Sequence, residues 1–76
     1  MTTTHPPVMR QVLIYPGDDG WFVAECPSLP GCISQGRTRP EAIANIREAI
    51  DLMLEDLQER GEPVPSDSLQ AMLVVV

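Results

Sequence analysis

Lysine is absent from these 76 residues, histidine appears once and cysteine twice, and no run of about 18 apolar residues occurs. Each shortage excludes something. With no lysine, five arginines face eleven acidic residues, leaving a net charge of −6. Such a field repels phosphate backbones and attracts basic proteins, so direct binding of DNA or RNA is not expected. Cys26 and Cys32, with the distant His5, fall short of the four nitrogen or sulfur ligands of a structural zinc, and neither a metal nor another cofactor is expected. No secretory apolar segment opens the chain, which favours a reducing, cytoplasmic setting where a disulfide is not the expected staple. Without a long apolar run or an internal repeat, membrane-spanning, coiled-coil and solenoid architectures drop out.

A chain this short buries only about 60% of the surface its unfolded form exposes, and a core of that size supplies about 3–5 kcal/mol. One domain is the ceiling. With metal and disulfide set aside, association into a homo-oligomer, dimer or tetramer, is the expected stabiliser.

Residues 1–7 carry two adjacent prolines and no apolar periodicity and read as a flexible arm, leaving 8–76 as the domain. Val8 to Tyr15 is rich in apolar and β-branched residues and is predicted as a strand. The turn formers Pro16, Gly17, Asp18, Asp19 and Gly20 then predict a hairpin. Trp21 to Cys26 is the return strand, apolar enough that neither of its faces should be fully exposed. After Pro27 to Gly31 a third, shorter strand is predicted over Cys32 to Gly36.

Thr38, Pro40 and Glu41 fit the opening of a helix, with threonine at the N-cap and glutamate three residues on. Ala42, Ile43, Ile46, Ala49, Ile50, Met53, Leu54 and Leu57 form one apolar stripe, and Gly61 with Pro63 ends it. Such a helix is about 33 Å long, enough to span a small sheet. Leu69 to Val76 reads as a last strand, central or covered by another subunit because it is apolar on both faces. The fold class is α+β, β-β-β-α-β, with one long helix on one face of an antiparallel sheet.

The run Gly20 to Gly36, with its Leu29-Pro30-Gly31-Cys32 loop, followed by Thr38, Glu41-Ala42, Asn45 and Glu48-Ala49-Ile50, resembles the HicB antitoxin family of prokaryotes. The likeness covers roughly residues 8 to 60. It implies a partial ribonuclease-H-like domain that pairs with HicA, a small basic messenger-RNA ribonuclease, and blocks it. In longer relatives a helix-turn-helix or ribbon-helix-helix segment follows the last strand and binds the operator. Here the sequence stops at Val76, so no DNA-binding role is expected. Arg37 departs from the family pattern, which often has aspartate before the threonine.

An inhibitor of a basic enzyme needs an acidic surface. Glu48, Asp51, Glu55, Asp56 and Glu59 lie off the apolar stripe, and Leu52, apolar among them, marks the face as an interface and not only as a solvated surface. No catalytic residue is expected. Asp18 and Asp19 are explained by the turn, Cys32 lacks a histidine base within the domain, and the prolines around Leu29 remove amides an anion would need. The competing functions are a solitary self-assembling domain with an unknown protein or small-molecule partner, and a divergent ribonuclease-H-like hydrolase.

Overall fold

A computed structural model describes residues 10–67 and 74–76. Three short strands, β1 (Leu13–Pro16), β2 (Phe22–Glu25) and β3 (Ile33–Gly36), are followed by one long helix, α1 (Arg39–Glu59). The strands form an antiparallel sheet in the order β1-β2-β3, with Ile14 opposite Ala24 and Ala24 opposite Ser34. This is the expected α+β order of three strands and a helix. The expected arm, residues 1–7, lies outside the described residues, as do residues 68–73, which hold most of the expected last strand. Its final residues, Val74 to Val76, are described, exposed and without regular structure.

The β1–β2 turn follows its sequence. The Asp19 carboxylate accepts from the Trp21 amide at 3.1 Å, and the Gly17 amide donates to the Trp21 carbonyl at 2.6 Å. Gly20 takes a φ of 84°, which few other residues would accept. The loop between β2 and β3 folds inward: the Leu29 amide donates to the Cys26 carbonyl at 3.0 Å and the Cys32 amide to the Leu29 carbonyl at 2.9 Å. These bonds hold Leu29 at 1% exposure, a core residue supplied by a loop.

Thr38, extended at φ −130°, caps α1, its hydroxyl accepting from the Glu41 amide at 3.2 Å. At the far end the Glu62 amide reaches the Leu57 carbonyl and the Gly61 amide the Gln58 carbonyl, with Gly61 left-handed at φ 66°. That paired closure is a Schellman motif. The core consists of Ala24, Cys26, Leu29, Cys32, Ala42, Ile46 and Ile50, with Val12, Ile14, Phe22, Ala49, Met53, Leu54 and Leu57 packed around it. The helical stripe is therefore as expected, except that Ile43 stands at its edge, 43% exposed.

The first strand is shorter than expected. Val8 and Met9 lie outside the described residues, and Arg10 to Val12 are not in the ladder. A local competitor takes them: the Gln11 amide donates to Asp67 Oδ2 at 3.0 Å, while Arg10 donates to the Ser28 hydroxyl at 2.9 Å and the Pro65 carbonyl at 2.6 Å. This polar staple ties the segment after the helix back to the start of β1. The Asp67 carboxyl is held below its ordinary pKa chiefly by the Ser28 hydroxyl; desolvation, next in size, opposes this, and the Gln11 amide and the charge of Arg10 add to the lowering. A depressed carboxyl stabilises the fold above its unfolded pKa, about 3.9, and that contribution disappears as pH falls through the lower folded value. Asp67→Asn should therefore lower the melting temperature at pH 7 while leaving it nearly unchanged at about pH 2. An equal loss at both pH values would show that the carboxylate charge contributes nothing.

Candidate functional site

Being on one long helix, the predicted contact residues fall on few faces. Glu48, Asp51, Leu52, Glu55, Asp56 and Glu59 are all exposed, and Leu52 reaches 60% exposure. Spacings of three and four bring Glu48, Asp51, Glu55 and Glu59 into one ridge along the side of α1 away from the sheet, with Leu52 between them. Among the described residues none of these four carboxylates makes an ion pair. Glu41, two turns before Glu48, lies on the same ridge, where an acid also complements the positive end of the helix.

Two of the six are less alike than the sequence suggests. Asp56 is paired with Arg60 at 2.9 Å, and the same guanidinium reaches Glu62 at 3.3 Å. Asp51 lies at the flank of the ridge, where with Arg47 it rims a groove of about 340 Å³ between β1 and α1, floored by Val12, Ile14, Ile46 and Ile50. The groove's arginine rim was not foreseen. Only the register of β1 against α1 brings Arg10 and Arg47 to one opening.

The reactive side chains are turned inward. Cys26 and Cys32 are free and buried, with Cys26 Sγ 3.5 Å from the Ser28 hydroxyl. Burial pushes the Cys32 thiol up, the neighbouring Cys26 adds to this, and Arg10 offsets part of it. A thiol held protonated is a packing residue and a poor nucleophile. Asp19 is used by its turn, and among the described residues no three histidine, cysteine or acidic side chains cluster as metal ligands. No helix of the described residues is long and apolar enough to cross a membrane.

The sheet face away from α1 was missed. It carries Leu13, Tyr15 and Ile33 at 44%, 42% and 58% exposure. The Tyr15 hydroxyl donates to Glu25 Oε2 at 2.6 Å, and this bond is the leading cause that raises the phenol above its ordinary pKa, ahead of desolvation and the carboxylate's charge. Period-two alternation of apolar residues on both sides of β1 was the signal available.

The described residues thus form a small α+β domain that displays an acidic helix ridge and keeps both thiols in the core. The chain belongs to the HicB-like antitoxin family, matching the family described as HicB_like antitoxin of bacterial toxin-antitoxin system over residues 11–74. It is 41% identical over 63 residues to a UPF0150 protein of Thermoplasma acidophilum, covering 83% of this chain and 91% of the relative. A UPF0150 protein of Synechocystis is 53% identical over 51 residues, 67% of this chain and 65% of the relative. One from Helicobacter pylori is 49% identical over 41 residues, 54% of this chain and 57% of the relative. No solved structure matches the chain.

Proposed function

We propose that this chain acts by capture, as the cytoplasmic antitoxin of a type II toxin–antitoxin pair that binds and neutralises a small basic messenger-RNA ribonuclease of the HicA type. The observation that carries the reading is the ridge on α1, where Glu48, Asp51, Glu55 and Glu59 are exposed and, among the described residues, without ion-pair partners around an exposed Leu52. A surface that grips RNA phosphates is cationic, and carboxylates at matching spacing compete for it while steering the encounter. Leu52 supplies an apolar anchor inside a charged rim. Asp56, already held by Arg60, contributes less. Membership of an antitoxin family and the net charge of −6 support the same reading, and the charge weighs against DNA as a partner.

RNA cleavage by a purified HicA-type ribonuclease, followed while the chain is titrated in, tests the reading. Cleavage should fall in proportion to added chain and stop near one equivalent. Cleavage that persists at about tenfold excess, or RNA cleavage by the chain alone, contradicts it.

A further inference from the structure

The helix covers one face of the sheet, and among the described residues no element covers the other. Alternation sends Ile14, Phe22 and Ala24 towards α1 and Leu13, Tyr15, Val23, Glu25, Ile33 and Gln35 the other way. The register aligns these six in two rows, Leu13–Glu25–Ile33 and Tyr15–Val23–Gln35. A half-solvated antiparallel sheet ordinarily alternates apolar-in with polar-out. Here the outward positions are mostly apolar or aromatic. The charges at the face also cancel. Glu25 is engaged by the Tyr15 hydroxyl at 2.6 Å, and at the next position along the β2–β3 pair the Arg37 guanidinium lies over the Trp21 ring at 5.2 Å. The face is thus apolar and balanced in charge on a molecule of net charge −6, whose acidic ridge, without ion pairs among the described residues, stands on the opposite side.

We propose that this face docks on the same face of a second copy, sheet against sheet about a two-fold axis. Charge selects the occupant. A basic partner finds no net negative surface here, whereas two copies of −6 each meet at least cost through charge-balanced faces that hold their acidic ridges apart on the outside of the sandwich. An isologous contact requires a surface complementary to itself, which an apolar face with matched charges provides. At the end of the face a cleft of about 260 Å³, bordered by Leu13, Pro27, Pro30 and Ile33, offers a seat for an apolar side chain of the other copy. Docking would also supply burial that a core of this size lacks. The inference does not rest on the ribonuclease reading and leaves α1 free for a partner.

Sedimentation equilibrium of the full chain, with thermal melts over a range of concentrations, tests it. The parent should sediment at twice 8.4 kDa and melt higher as concentration rises. The dimer should hold or tighten between about 0.05 and 0.5 M salt, because screening removes repulsion between like charges. Ile33→Glu should give a folded monomer whose melting no longer depends on concentration. If that variant fails to fold, Ile33→Ser, which removes apolar area without adding charge, should still weaken association about tenfold or more with the helical signal retained. A parent that stays monomeric at about 0.1 mM, a dimer that dissociates as salt rises, or a dimer that survives both substitutions overturns the proposal. A monomeric parent would assign the face to the chain's own C-terminal residues or to a foreign protein.

Discussion

Gly36→Ala is expected to remove most of the stability of this domain, although it adds one methyl group at the end of a strand. A β-carbon at that position would stand 2.8 Å from the carbonyl carbon of Glu41 and 2.9 Å from the Ala42 Cα. Those atoms are backbone in the first turn of α1 and cannot rotate aside. The helix would have to lift from β3, and Ala42 and Ile46, which are 0% and 1% exposed, lift with it. Overpacking of a rigid core typically costs about 1–3 kcal/mol, and a backbone obstacle belongs at the upper end. Against the roughly 3–5 kcal/mol available to so small a core, the variant should be partly unfolded at room temperature. Its melting temperature should fall by about 12–24 °C, at about 4–8 °C per kcal/mol. Gly31→Ala is the control: its φ is 85° but a β-carbon there meets nothing within 4 Å, so the cost is left-handed strain alone, about 1–2 kcal/mol. Circular-dichroism melts of the two variants decide the matter. Equal, small losses would mean that the helix does not pack on β3 as closely as described.

Most of the fold was legible because its signals are local. The cap at Thr38, the stripe from Ala42 to Leu57 and the stop at Gly61 all act within a turn or two of themselves, and α1 begins and ends where they place it. The hairpin at Asp18 and Asp19 was legible for the same reason. What the sequence hid depends on residues far apart in the chain. The amide of Gln11 leaves the strand for a carboxylate fifty-six residues away, and no periodicity announces such a partner. Leu29, placed in a proline-bearing connection, reads as a loop residue until the bonds around Cys26 and Cys32 turn it into the core.

The candidate site divides in the same way. Which residues lie off the apolar stripe follows from helical spacing, so the exposed ridge was foreseeable. The pairing of Asp56 with Arg60 was also within reach, since the two are four residues apart and on one face. The groove that takes Asp51 and Arg47 to its rim was not, because it exists only once β1 lies beside α1. Nor was the open sheet face evident. Alternation shows that the strands have two faces, but only the placement of α1 shows which of them it leaves uncovered.

Reversing the charge of Glu48, Asp51 and Glu55 together, to lysine, should have the largest effect on function and almost none on folding. All three are exposed, and among the described residues none makes an ion pair. Substitutions of that kind ordinarily move stability by less than about 0.5 kcal/mol. The same change takes the net charge from −6 to zero and replaces the attracting ridge with a repelling one. Loss of complementary charge acts mainly on the encounter, so the association rate with a basic ribonuclease should fall about tenfold or more at low salt, and the gap between parent and variant should close as salt is raised. Stopped-flow association of parent and triple variant with a purified HicA-type ribonuclease, at several salt concentrations, is the most direct test of the claim that this chain works by capture through α1. The parent should associate with a steep salt dependence and the variant slowly with a flat one, and their melting curves should superimpose. Identical association rates at low salt, with the fold intact, would contradict that claim and move the contact to another surface.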